Sequence, residues 1–124
     1  MPLDDKARKL IQGKNFGHLA TISWDGSPHV TPVWIDLDND QVLVNTSVGR
    51  VKERNVRRDD RVAISIADQE DPYDYVQIRG HVAEVTRDGA DEHIDKMAKK
   101  YTGEDKYPWR SPDEKRVVLR IKPE

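Results

Sequence analysis

The chain has 124 residues, which fits a single domain of residues 1–124 built on one core. Charged residues make up 35% and hydrophobic ones 35%, with the apolar residues in short periodic clusters, so the chain reads as a small folded domain with a charged surface and not as a disordered one. The lack of cysteine excludes a disulfide framework and a thiolate metal site, and a formal net charge of -2 with 6% aromatic residues speaks against a nucleic-acid-binding face.

The first residues carry Asp4, Asp5, Lys6, Arg8 and Lys9 and no long apolar run. Neither a signal peptide nor a membrane span is expected, and a cytoplasmic location follows as the expectation. Leu3, Ala7, Leu10 and Ile11 recur at helical spacing, with acids at the start and Gly13 at the end, which predicts a short amphipathic helix. The stretch "FGHLATISWDGSPHVTPVWIDLDNDQVLVNTS" then alternates apolar and β-branched runs with turn residues. It predicts three strands, roughly 17 to 23, 28 to 36 and 41 to 46. Pro32 cannot donate to a ladder, so its position is expected at a bulge or an edge.

Residues 50 to 58 lack strand alternation and predict a short helix. Val62, Ile64 and Ile66 alternate as a strand. Val76, Ile78, Val82 and Val85 form a longer one whose change of phase predicts a bulge near Gly80. Ile94, Met97, Ala98 and Tyr101 share one helix face, and Val117, Leu119 and Ile121 close the chain as a strand that Lys115 and Arg116 begin. Six strands with short helices predict a mainly β fold, a small closed antiparallel barrel of six strands, and so small a core makes dimerisation a natural way to bury more area.

The segment "NTSVGRVKERNVRRDDR" places six cations against three carboxylates between positions 50 and 61. Arg50, Arg54, Arg57 and Arg61 recur as a single stripe at helical spacing, which is either a solvated face with local ion pairs or a site for an anion. The entry to the helix favours the second reading. Asn45, Thr46 and Ser47 end a strand, Gly49 permits close backbone approach, and Arg50 and Lys52 follow at once. Strand end, hydroxyls, free helix N–H groups and two cations make a phosphate site, though not a Walker loop, whose spacing is absent. His18, His29, His81 and His93 show no ligand spacing, no Gly-x-Ser-x-Gly occurs, and no acid/base pair of carboxylates stands out. No metal and no protein nucleophile are therefore expected, and no catalytic residue is assigned.

In sequence order, "HLATISWDGSPHVTPVWIDLD", "LVNTSVGRVKERNVRRDDRVAISI", "DPYDYVQIRGHVAEVT", "KYTGEDKYPWR" and "RVVLRIKPE" together resemble the split β-barrel family related to pyridoxamine phosphate oxidase. They look most like the branch that uses the deazaflavin coenzyme F420. The resemblance covers essentially the whole chain, with "TPVW" followed by "NTSVGRVKERN" its most specific part. It implies that the six-stranded antiparallel barrel is a split barrel, and that the protein is a homodimer with two cofactor sites at the interface, each formed by both chains. It carries the phosphate contacts to Thr46, Ser47, Arg50 and Lys52, places Val33 and Trp34 beside the ring system, and brings Gln77 and Arg79 toward the site from one chain or the other. Read by themselves, Trp34 could equally be a core or interface aromatic, and Gln77 and Arg79 a pair on the barrel surface.

The function implied is an F420-dependent oxidoreductase passing a hydride between the deazaflavin and a conjugated, planar organic acceptor. Carbon replaces the reactive ring nitrogen of a flavin there, so the cofactor carries the chemistry and the protein positions it. A proton for the acceptor could come from Tyr107, Arg110 or water. An FMN-dependent oxidoreductase of the same family and a non-catalytic flavin or deazaflavin carrier remain the alternatives. The arginine stripe favours F420, whose polyglutamate tail needs cations beyond the phosphate.

Overall fold

In the computed structural model, which describes residues 3–124, helix α1 (Asp5–Gln12) opens with Asp4 as its cap, the carboxylate accepting from Ala7 N–H at 2.8 Å. Its apolar face, Ala7, Leu10 and Ile11, is buried among the inward residues of the strands, as the spacing predicts. Strands β1 (Gly17–Ile22) and β2 (Pro28–Val33) form a hairpin over the Asp25–Gly26 turn. Its carboxylate accepts from the backbone and hydroxyl of Ser27.

The predicted strand 28 to 36 is in fact two. Its first part is β2, paired with β1, and its second is β3 (Asp36–Asp38), paired with β4 (Gln41–Ser47). The barrel thus has seven strands rather than six, in the order β2-β1-β5-β6-β7-β4-β3, all neighbours antiparallel. The two edges of the sheet are consecutive in sequence. Only Trp34 and Ile35 join them, and three Cα–Cα steps of about 3.8 Å hold the edges within about 11 Å. The sheet therefore curls into a half-barrel whose split is bridged by chain and not by a ladder.

Two side chains of α3 (Ala90–Thr102) take the place of the missing ladder. Tyr101 Oη accepts from Ile35 N–H at 3.1 Å and donates to Asn15 O at 2.6 Å, while Lys100 Nζ donates to Ile35 O at 2.9 Å and Ile11 O at 2.7 Å. Burial of this clamp pulls the Lys100 amine down to about 8 and pushes the Tyr101 hydroxyl up to about 12. Pro32 lies on β2, an edge of the sheet, where its lack of an N–H costs nothing to the ladder.

Helix α2 (Val51–Arg58) follows β4, and β5 (Arg61–Ala67) and β6 (Tyr75–Thr86) form the long hairpin beyond it. The change of phase in β6 is real, but the register against β7 (Arg116–Pro123) shifts between Val82 and Glu84, so the extra residue is Ala83 and not a neighbour of Gly80. Gly80 has another role. A Cβ there would lie 2.2 Å from Lys122 O, so the close approach of β6 to β7 tolerates only glycine.

Val117, Leu119 and Ile121 of β7 point into the core, and Ile94, Met97, Ala98 and Tyr101 line the buried face of α3. That helix covers the outer side of β4 and β7, where Leu43, Val118 and Ala90 meet. The outer side of β2, β1, β5 and β6 keeps partly exposed residues in register across the strands. One row runs Pro32–His18–Ser65–Gln77 and the next Val30–Ala20–Ala63–Arg79. No helix among the described residues is long and apolar enough to cross a membrane.

Candidate cofactor cleft

Where β4 ends, Thr46 and Ser47 are buried at the last ladder positions, and the chain turns through Gly49 at φ 97 before α2 begins. The turn is held by Glu53 in the first turn of the helix. Its buried carboxylate reaches back to accept from Gly49 N–H at 2.9 Å, one residue before the N-cap, and pairs with Arg57. Burial opposes the charge on Glu53, yet the bonds from Gly49 and Arg57 outweigh it and hold the carboxyl below its usual range. Arg50 is the N-cap and offers no side-chain cap, so the N–H groups of the first turn stay open beside its guanidinium.

A cleft of about 270 Å³ opens at this helix start. Arg50, Lys52 and Arg116 line it close to one another, together with Thr46 and Asn45 from β4. Among the described residues neither Arg50 nor Lys52 pairs with a carboxylate. Burial depresses the Lys52 amine, and the charges of Arg50 and Arg116 depress it further. Cations crowded in this way repel one another, and a bound anion would relieve the repulsion. Aromatic rings line the same cleft. Trp34 stacks on Tyr101 with ring centroids 5.2 Å apart and meets Tyr107 edge-on at 6.2 Å, and Tyr107 in turn meets Trp109 at 5.6 Å. Phe16, Pro32, Val33 and Ile94 complete the walls.

The structure thus brings together Val33, Trp34, Thr46, Arg50 and Lys52 of the residues expected to hold a cofactor. Ser47 is buried one residue further on and does not line the cleft. Gln77 and Arg79 lie elsewhere on the protomer, lining a separate depression with Leu3, Asp4 and Glu124. The arginine stripe does not survive. The helix ends at Arg58, Arg61 begins β5 and is bound to Asp59, and Arg57 is taken by Glu53, which leaves only Arg54 of the outer three without a carboxylate partner among the described residues. Of the suggested proton sources, Tyr107 lines the cleft, whereas Arg110 is paired with Asp91 and Asp95.

Arg116, which the sequence marks only as the start of a strand, is a buried cleft residue. Its Nε donates to Asn45 Oδ1 at 2.8 Å, it pairs with Glu114, and its guanidinium lies 5.2 Å from the centre of the Tyr107 ring. Behind it Asp36 Oδ2 accepts from His93 Nε2 at 3.0 Å and Lys96 Nζ at 3.1 Å. Burial alone would raise the Asp36 carboxyl, but the bonds from His93, Leu37 N–H and Lys96 hold it at about 2. A folded-state value below the unfolded one contributes stability above pH 4 that is lost as pH falls toward 2, here about 2 kcal/mol. Asp36→Asn is accordingly expected to unfold more easily at pH 7 by roughly that amount and to lose little more between pH 4 and pH 2, as read by urea titration.

Fold and cleft together define a split barrel with a cleft lined by cations and aromatic rings. Comparison with known proteins agrees. The family model for pyridoxamine 5'-phosphate oxidase matches residues 3–124, and the chain belongs to that family. A solved structure titled F420 reductase superposes with a TM-score of 0.85 at 27% identity, over 98% of this chain and 96% of the other. A conserved protein of Mycobacterium tuberculosis, Rv2991, superposes with a TM-score of 0.72 at 25% identity, over 99% and 81%. A 5a,11a-dehydrotetracycline/5a,11a-dehydrooxytetracycline reductase of Streptomyces rimosus is 32% identical over 72 residues, 55% of this chain and 51% of that protein. The match to this curated relative thus spans about half its length. An oxidase family and two proteins named reductases support an oxidoreductase in this family.

Proposed function

We propose that the protein is an F420-dependent oxidoreductase that passes a hydride between the deazaflavin and a conjugated organic acceptor. The observation that carries this reading is that Arg50 and Lys52, without carboxylate partners among the described residues, line the same cleft as Trp34. A ligand that joins a planar ring to a phosphate fits that arrangement. Thr46, Arg50, Lys52 and the α2 amides would hold the phosphate, with Val33 and Trp34 beside the ring and Ser47, which is buried and does not line the cleft, outside the contact. When bound, F420 supplies the hydride, while the chain's own groups orient the ring, exclude water and leave Tyr107 or a water to deliver a proton. The choice of F420 over FMN is supported by the likeness to the F420 reductase and by Arg54, one turn along the helix from Arg50.

The working unit in this proposal is a homodimer of single split-barrel domains. Pro32 belongs both to the cleft and to the uncovered face of the sheet that runs on to Gln77 and Arg79. A second copy packed on that face with the two-fold axis along the strands lays its β6 over β2, which carries its Gln77 and Arg79 toward the cleft of the first. This accounts for their distance from the cleft within one protomer.

The test is turnover. Reduced F420 should be oxidised faster by the protein when an enone, quinone or tetrapyrrole acceptor is present, and reduced FMN should not replace it. Turnover with FMN alone would favour the FMN-dependent alternative, and tight F420 binding without turnover across a broad acceptor panel the carrier. Light scattering of the same samples should give twice the chain mass at micromolar concentration; a monomer mass with cofactor present contradicts the two-chain site.

A further inference from the structure

Arg116 reaches the cleft from beneath α3, and hydrogen bonds running back to Asp36 hold it there. The directions of these bonds are set by chemistry. Arg116 Nε–H can only donate, and the Ala90 carbonyl can only accept. Asn45 therefore turns Oδ1 to Arg116 at 2.8 Å and Nδ2 to Ala90 O at 2.9 Å, which allows its amide one orientation. The remaining Nδ2 hydrogen points at His93 Nδ1, 3.1 Å away. That ring nitrogen accepts and carries no proton, so the proton is on Nε2, which donates to Asp36 at 3.0 Å.

We infer that His93 is a positioning residue for the cleft: unprotonated at Nδ1 it fixes the Asn45 amide and through it the Arg116 guanidinium, and a proton on Nδ1 releases Arg116. The inference rests on the reading of the cleft as an anion site. The charged groups around His93 are Asp36 on β3, Lys96 on α3, which is bound to that same carboxylate, and, beyond Asn45, Arg116 of β7 with its partner Glu114. A protonated Nδ1 donates, and Asn45 can meet it only with Oδ1. Nδ2 then faces Arg116 Nε–H, donor against donor, and Ala90 O loses its donor. Arg116 keeps Glu114 and the Tyr107 ring but is no longer aimed into the cleft. The sign is diagnostic, because an added positive charge by itself would strengthen anion binding, whereas release of Arg116 weakens it.

Long-range 1H–15N NMR of the unliganded protein tests the chain of bonds directly. In its neutral form His93 should carry its proton on Nε2, and as pH is lowered from about 8 to about 5 the Arg116 Nε–H resonance should move in step with the His93 ring nitrogens. A neutral ring with its proton on Nδ1, or an Arg116 resonance indifferent to His93, overturns the proposal whatever the cleft binds. Inorganic sulfate, which does not titrate in this range, probes the consequence. Its affinity should fall about tenfold from pH 8 to pH 5, the scale of one hydrogen bond to a charged group. In His93→Gln, a neutral side chain able to accept from Asn45 and donate to Asp36, that fall should vanish. An equal fall in both proteins overturns the proposal. Sulfate binding at no pH, with the NMR coupling intact, overturns the anion reading of the cleft and leaves the control of Arg116 by His93 standing.

Discussion

Replacing Arg50 and Lys52 together by alanine is expected to weaken F420 binding by about 3 to 6 kcal/mol, two hydrogen bonds to charged groups at about 1.5 to 3 kcal/mol each. Both side chains line the cleft, and neither has a carboxylate partner among the described residues, so their loss leaves no buried acid exposed. A second consequence follows from the depressed Lys52 amine. Burial and the neighbouring guanidinium groups already disfavour its charge in the folded protein, so the unliganded double variant should be no less stable than the wild type. Arg58→Ala is the control. Its guanidinium donates to Ile22 O at 2.6 Å and Asn55 Oδ1 at 3.0 Å, outside the cleft, so it should cost stability and leave affinity nearly unchanged. Fluorescence titration and thermal unfolding of the three proteins separate these outcomes. Equal small losses of affinity in all would return the basic helix to a solvated surface.

Gly80→Ala is expected to cost more than about 3 kcal/mol, beyond the usual range for overpacking. The added carbon would sit 2.2 Å from Lys122 O and 3.0 Å from both Lys122 C and Pro123 Cα, all backbone atoms of the strand next to it. No rotamer relieves such a clash, and opening β6 from β7 would break the middle of the sheet. Gly26→Ala gives the contrast. Its Cβ would meet nothing within 4 Å, so only the left-handed backbone at φ 85 is penalised, by about 1 to 2 kcal/mol. Urea denaturation of the two variants should rank them in that order. A Gly80→Ala protein as stable as Gly26→Ala would contradict the packing of β6 on β7.

What the sequence disclosed depended on how local the cause was. The strict alternation of Val62, Ile64 and Ile66 and of Val117, Leu119 and Ile121 needs only the two-residue period of a strand, and both strands are where the pattern puts them. The break at Trp34–Ile35 carries no glycine and no turn pair. Its cause is the clamp from Lys100 and Tyr101, some sixty-five residues away, which no local pattern reports. The cleft was half legible for the same reason. Arg50 and Lys52 follow a strand end and a glycine in direct succession, whereas Arg116 arrives from the last strand and Tyr107 and Trp109 from the loop before it. A signal for Arg116 was present in "RVVL" and "VLV". These runs are apolar on both faces of β7 and β4, which marks a strand covered on its outer side too, and so places a preceding arginine under α3. The arginine stripe failed because a helical period was carried past the end of the helix into β5.

The central claim, that this cleft is built for a deazaflavin, is tested most directly by titrating the purified protein with F420, FMN and FAD under identical conditions. F420 should bind most tightly, and FAD least. Tight binding of FMN with negligible binding of F420 would contradict the claim.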